Sequence, residues 1–70
     1  MGLKIIIYGK GGWPYTTRAR EAYPQHTYFD VKADPIKLED MLELSKGQRQ
    51  VPVIIEGEQV KIGYNGSWGV

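Results

Sequence analysis

The segment of residues 3–16 constrains the fold most, because it joins the most apolar run of the chain directly to its first amphipathic segment. Residues 3–8 include three consecutive isoleucines and no break, which is typical of a strand buried on both faces of a parallel or mixed sheet. A glycine-rich turn follows at residues 9–12, and Pro14 fits the first turn of a helix, where its missing N–H costs nothing. We therefore expect a central strand that leads through a glycine loop to a helix N-terminus, which suits an anion or a thiolate.

The first helix and the strand after it are predicted from their patterns of apolar residues. Pro24 ends the helix that begins at Pro14, and residues 27–31 alternate polar and apolar side chains as a strand does. The helix has apolar residues at i, i+4, i+7 and i+8, namely Tyr15, Ala19, Ala22 and Tyr23. A strand, a helix and a strand in this order indicate a right-handed crossover between parallel strands.

The second helix has recognisable start and end signals. Asp34 is predicted as its N-cap and Pro35 as its first helical residue. Gly47 is predicted to follow the helix in the left-handed conformation. A broad apolar face is expected from Ile36, Leu38, Met41, Leu42 and Leu44.

A β-hairpin is predicted after the second helix. Residues 51–55 and 60–62 are β-branched runs, and residues 56–59 make a tight connection between them. Pro52 has no N–H to donate, so it should open its strand or lie at an edge. Lys61 would protect an edge strand from pairing with another chain.

The order β-α-β-α-β-β predicts an α/β fold with a four-stranded mixed sheet and two helices, which we expect on one face. Seventy residues suffice for a single domain. Residues 63–70 contain three glycines and no periodicity, and we expect an irregular cap whose Tyr64 and Trp68 cover the sheet edge.

Composition excludes several classes of function. The chain has no cysteine and one histidine, His26, so neither a disulfide nor a metal site is expected, and no thiol chemistry is possible as written. Nine basic and eight acidic residues give a net charge of +1, which does not indicate nucleic-acid binding. The chain shows no signal h-region and no membrane-spanning run, so we expect a cytoplasmic monomer without a bound cofactor.

Three motifs give the chain a resemblance to a known family. Residues 8–16 read YGKGGWPYT, residues 49–52 read RQVP, and Ile62 precedes Gly63. These resemble the Y-x-K-x-x-C-P-Y-C, R-T-V-P and G-G-x-D motifs of glutaredoxins, in that order and on the expected elements. The resemblance extends from residue 3 to about residue 63 and implies a minimal thioredoxin-like domain over residues 1–70, with an irregular tail at 63–70.

The first motif implies the reacting position. Trp13 stands where glutaredoxins carry their nucleophilic cysteine, and Pro14 and Tyr15 match the residues that follow it. Thr16 replaces the second cysteine, as in one-thiol members that rely on a second glutathione. Lys10 matches the lysine that stabilises the thiolate and a glutathione carboxylate, and Tyr15 matches the ring that lines the glutathione groove.

The later motifs imply the substrate-binding residues. Pro52 matches a cis-proline, and Val51 before it matches the residue whose backbone pairs with the peptide-like part of glutathione. Arg49 is a candidate clamp for a carboxylate, and Gly63 matches one glycine of the G-G pair. Asn65 or Ser67 would replace the acidic or hydroxyl residue that follows this pair.

Trp13 departs from the family pattern, because it provides no nucleophile. A short branch of glutaredoxin-like proteins includes selenoproteins with a U-P-Y-T motif, where U is selenocysteine, and this branch is more similar to the chain. Selenocysteine is encoded by UGA, one base from the tryptophan codon UGG. We therefore interpret Trp13 as a selenocysteine or cysteine position, an interpretation that codon 13 of the natural gene tests.

Three functions are consistent with the sequence. The first is a glutaredoxin-like thiol- or selenol-disulfide oxidoreductase of redox homeostasis, catalytically silent as written, with glutathione or another small thiol and a disulfide-containing protein as partners. The second is a non-enzymatic binding module that keeps the groove formed by Lys10, Tyr15, Val51 and Pro52. The third is an interaction domain that uses the tail around Trp68. The simpler interpretation of Trp13 is an exposed aromatic residue of a turn, without a redox role. The simpler interpretation of Lys10 and Arg49 is that each is a charged side chain surrounded by solvent.

Overall fold

The computed structural model describes residues 4–64, 66 and 68–69. The elements are β1 (Ile5–Gly9), α1 (Pro14–Ala22), β2 (His26–Asp30), α2 (Pro35–Leu44), β3 (Val53–Glu56) and β4 (Gln59–Ile62). The sheet order is β2-β1-β3-β4, with β1 parallel to β2 and antiparallel to β3, and with β3 antiparallel to β4. The predicted element order, mixed sheet and central first strand are confirmed. Leu3, with which the first strand was predicted to begin, lies outside the described residues.

Strand ends differ from the prediction by one or two residues. β2 occupies residues 26–30 rather than 27–31, and β3 begins at Val53 rather than at Val51. Pro52 has no N–H for the ladder, so it precedes β3, as predicted. Val51 forms an isolated antiparallel bridge to Gly69 instead.

The two helices lie on opposite faces of the sheet, so the prediction that they share one face is wrong. Ile7 of β1 packs in a buried cluster with Ala19 of α1, whereas Tyr8 packs in a second cluster with Met41 of α2. Successive side chains of a strand point to opposite faces. Because Ile7 and Tyr8 are both apolar, each face of β1 has to be covered by a helix.

Each helix buries a narrower face than predicted. In α1, Thr16 and Ala19 are buried, whereas Ala22 is exposed. The face that contacts the sheet therefore includes Thr16, three residues before Ala19, and not Ala22, three residues after it. In α2, Met41 is buried, whereas Ile36 and Leu44 are 68% and 39% exposed. At about 100° per residue, Ile36 lies about 140° around the helix from Met41, which places it toward solvent.

The predicted ends of α2 are confirmed. The Asp34 carboxylate accepts hydrogen bonds from the backbone N–H of Ile36 at 3.0 Å and of Lys37 at 3.4 Å. These bonds satisfy donors that a helix leaves unpaired in its first turn. At the other end, Gly47 has φ of 86° and its N–H donates to the Leu42 carbonyl at 2.7 Å. Both ends of helix α2 are therefore fixed by hydrogen bonds between residues close in sequence.

Tyr23 connects the end of α1 to the β3–β4 hairpin. Its hydroxyl donates to the carboxylate of Glu56, which also accepts from Lys61 Nζ at 3.1 Å. The hydrogen bond from Tyr23, followed by that from Lys61, lowers the pKa of the Glu56 carboxyl below its ordinary value of 4.5. A lowered folded-state pKa adds stability that is present above 4.5 and lost as pH falls through the folded-state value.

We expect Tyr23→Phe to lower the free energy of unfolding at pH 7 and to have a progressively smaller effect as the pH falls toward and below the lowered pKa of Glu56. Urea unfolding at a series of pH values from 7 downward measures the difference. Tyr28→Phe is the matched control, since the buried Tyr28 hydroxyl has no hydrogen-bond partner in the described part of the chain. An effect of Tyr23→Phe that stays constant across the acidic range would contradict the assignment of the acid dependence to this contact.

Candidate functional site

The predicted site residues lie at one end of the sheet. Strands β1, β2 and β4 end there, and β3 begins there, because β3 is antiparallel to β1 and to β4. Lys10 directly follows β1, residues 49–52 precede β3, and Gly63 follows β4. The first helix also begins at this end. The topology therefore brings together three motifs that are far apart in sequence.

Trp13 is the N-cap residue of α1, and its side chain provides no cap. Its φ of −84° and ψ of 130° are extended, and its carbonyl accepts the Thr17 N–H at 3.0 Å, the first bond of the helix. The first turn of α1 contains no acidic residue. Unpaired N–H groups and the helix dipole favour negative charge at such a position. A thiolate or selenolate at residue 13 would meet that requirement, and an indole does not.

Thr16 fixes the glycine loop against the helix. Its side chain is 1% exposed, and its hydroxyl accepts the backbone N–H of Lys10 at 3.3 Å. A Cβ atom at Gly9 would collide with the Thr16 side chain, so the close approach of loop and helix requires glycine there. Thr16 therefore supports the loop. Of the other motif residues, Pro14 is exposed at the first helical position and Tyr15 is half-buried.

The Trp13 indole is half-buried between a cation and the tail. Lys10 Nζ lies 5.5 Å from the ring centroid, within range of a cation–π interaction. A Cβ atom at Gly69 would collide with Cε3 and Cζ3 of Trp13, so the ring lies directly against the Gly69 backbone. Trp13 is thus packed into the structure, in contrast to the exposed turn aromatic of the simpler interpretation.

The segment around Pro52 has the backbone geometry that the resemblance implies. The Val51–Pro52 peptide bond is cis, and the Pro52 carbonyl accepts the N–H of Gly63 at 2.7 Å. Gly63 has φ of 86°, which favours glycine. The Val51 N–H donates to the Gly69 carbonyl at 2.9 Å, and the Gly69 N–H donates to the Val51 carbonyl at 2.8 Å. Both backbone groups that the resemblance assigns to glutathione are therefore bonded within the chain.

A cavity of about 250 Å³ opens beside these residues on the α2 face of the sheet. Its lining consists of three cations and four apolar side chains, namely Lys10, Lys32, Arg49, Val31, Leu38, Met41 and Val51. Cations around an apolar floor suit a ligand that combines an anionic group with an apolar part. The structure thus brings Lys10, Arg49 and Val51 together at one cavity. Asn65 and Ser67, the other candidates, lie outside the described residues.

Sequence reasoning missed three residues of this region. Lys32 lines the cavity, and the Asp30 carboxylate accepts the N–H of Lys32 at 2.9 Å and of Gly11 at 3.4 Å. Both follow from the predicted parallel pair, because the ends of β1 and β2 lie side by side. Gly69 had no such signal, since the pattern of the tail does not indicate where it pairs.

Element order, strand order and the cis-proline segment define a thioredoxin-like fold. The crystal structure of a glutaredoxin from Archaeoglobus fulgidus is similar to the chain, with a TM-score of 0.69 and 21% sequence identity over 90% of this chain and 77% of that one. At this identity the likeness establishes the fold. No protein-family model matches the chain, and no curated protein sequence does so either.

Two further observations concern the described residues alone. None of their helices is long and apolar enough to cross a membrane. Their histidine, aspartate and glutamate side chains form no group of three that could hold a metal ion.

Proposed function

We propose that this chain is a glutaredoxin-like thiol- or selenol-disulfide oxidoreductase domain that acts in redox homeostasis and is silent as written, because Trp13 occupies the nucleophile position. The observation that supports this most is the placement of residue 13. It lies at the uncapped N-terminus of α1, beside Lys10. In a thioredoxin-like fold this is where a thiolate or selenolate would be stabilised.

The proposed reaction needs cysteine or selenocysteine at position 13. Its anion attacks the glutathione sulfur of a mixed disulfide between glutathione and the substrate, the S–S bond breaks, and the leaving substrate thiolate takes a proton from water. A second glutathione thiolate then attacks the bond between residue 13 and glutathione. This step releases glutathione disulfide and restores the anion at residue 13, so the mixed disulfide and one glutathione are converted into the substrate thiol and glutathione disulfide. Thr16 is buried against the loop and takes no part in resolution.

The proposed substrate site is the cavity and the segment beside it. Lys10 and Arg49 line the cavity and would bind a glutathione carboxylate, while Tyr15 would contact the ligand from α1. Val51, before cis-Pro52, would pair with the peptide-like backbone of glutathione. We further propose a disulfide-containing protein as the second substrate and a monomer in the cytoplasm as the working form.

We expect the native chain to bind glutathione with chemical-shift changes confined to this end of the sheet. Lys10→Gln should weaken binding about two- to fivefold, the effect of one screened ion pair. Lys4→Gln is the matched control, because Lys4 precedes β1 and lies about 20 Å away at the other end of the strand. Titration of ¹⁵N-labelled protein provides the measurement, and equal losses for the two variants would contradict the proposed site.

A binding module without chemistry is the second candidate. The observation that favours it is the packing of Trp13 against Gly69 and Lys10, which gives the indole a structural place in the site. In this case glutathione or a peptide would bind, but cysteine at position 13 would not confer disulfide exchange.

A further inference from the structure

The described residues of the tail beyond Tyr64 are Gly66, Trp68 and Gly69, and together they are called the tail strap. Gly69 is buried and exchanges two backbone hydrogen bonds with Val51, one in each direction. This is the hydrogen-bonded pair of an antiparallel ladder, formed between residues eighteen positions apart. The tail strap thus adds one strand-like pairing at the segment before cis-Pro52.

We propose that the tail strap is an autoinhibitory element that occupies the ligand-pairing position of Val51 and must be released before a peptide-like ligand binds there. The inference rests on the proposed function, since it assumes that glutathione pairs with Val51. It adds to that function a closed form of the protein, in which the backbone of Gly69 is paired with Val51 in place of the backbone of a ligand.

The pairing of Val51 is exclusive. A residue has one backbone N–H and one carbonyl, and at Val51 both are bonded to Gly69, at 2.9 and 2.8 Å. Val51 as a whole is 1% exposed, so its backbone is covered while Gly69 is paired with it. A glutathione molecule that pairs with Val51 therefore takes the place of Gly69.

Residue 13 holds the tail strap in place. The Trp13 ring lies directly on the Gly69 backbone, so close that a Cβ atom at residue 69 would collide with it. The side chain at the nucleophile position and the tail strap therefore contact each other. Displacement of Gly69 from Val51 therefore also removes its contact with residue 13.

The effect of the tail strap on glutathione affinity depends on the fraction of molecules that are closed, with Gly69 paired to Val51. When a ligand binds only the open form, the apparent Kd equals the intrinsic Kd divided by the open fraction. If nine molecules in ten are closed, release of the tail strap tightens glutathione binding about tenfold.

Substitutions at Gly69 in the full chain test the inference. Gly69→Pro removes the N–H that donates to Val51, and Gly69→Ala adds a Cβ that collides with Trp13. We expect both to bind reduced glutathione about tenfold more tightly than the native chain does. The matched control is Gly69→Ala in a Trp13→Ser background. The nearest atoms to the added Cβ belong to Trp13, so alanine should change nothing further there.

Two readouts separate the outcomes. Exchange of the Val51 amide proton should be slow in the native chain, fast in Gly69→Pro, and slow again when that variant is saturated with glutathione. The inference would be overturned if the native chain and Gly69→Pro had equal Kd values and the Gly69 amide of the native chain stayed protected from exchange at saturation. This outcome would leave the proposed glutathione site intact. If no variant binds glutathione while all remain folded, the proposed function and the inference both fail.

Discussion

Trp13→Cys should convert a silent chain into one that reduces hydroxyethyl disulfide at the expense of glutathione. Residue 13 lies at the N-terminus of α1 beside Lys10, so the new thiolate gains the helix dipole and a neighbouring cation. We expect its thiol pKa to fall below the ordinary value of about 8.5, which raises the thiolate fraction at neutral pH. Release of the indole contact with Gly69 should also open the groove.

Trp13→Ser is the matched control for this gain. It removes the indole and opens the same space, but it provides no sulfur, so its activity should remain at the background of the buffer. Titration of thiolate absorbance near 240 nm and a glutathione-coupled assay provide the two measurements. A folded Trp13→Cys protein with an unshifted thiol pKa and no activity would exclude the oxidoreductase proposal and favour the binding module.

Ile7→Ala should lower the free energy of unfolding by about 2–5 kcal/mol. Ile7 lies in the central strand and is fully buried between α1 and the sheet, in contact with the cluster of Ala19 and Ile54. Truncation of a buried isoleucine costs about 2–5 kcal/mol through lost burial and a cavity. A domain of this length has a total stability of about 4–10 kcal/mol. One substitution therefore removes about a fifth of the stability or more.

Ile36→Ala makes the same chemical change at a solvent-facing site. Ile36 is 68% exposed on α2, so its truncation should alter the free energy of unfolding by less than about 0.5 kcal/mol. Urea unfolding of both variants at pH 7 gives the comparison. Similar losses for Ile7→Ala and Ile36→Ala would contradict the assignment of the core to the two faces of β1.

Local chemistry made most of the elements predictable. The isoleucine run, the Asp34-Pro35 start of α2 and the glycine at position 47 each determine the backbone within a few residues. The similarity of the motifs to glutaredoxins further predicted the cis bond at Pro52, which a lone X-Pro sequence would not.

The errors concern properties that depend on the path of the whole chain. The faces on which the helices lie, and the exposure of Ala22 and Ile36, follow from how each helix crosses the sheet, which spacing alone does not specify. The pairing of Gly69 with Val51 joins segments that share no pattern. Lys32 is a different case, because the predicted parallel pairing of β1 and β2 was sufficient to place it near Lys10.

Because the helices lie on opposite faces of the sheet, the reacting position and the ligand cavity of the proposed site belong to different layers of the molecule. Residue 13 is set by α1, whereas the cavity floor of Leu38 and Met41 is set by α2 on the other side of the sheet. Changes on α2 could thus alter which ligand is recognised without moving the reacting position. Recognition and chemistry in the proposed site are therefore open to separate substitution, the first on α2 and the second at residue 13.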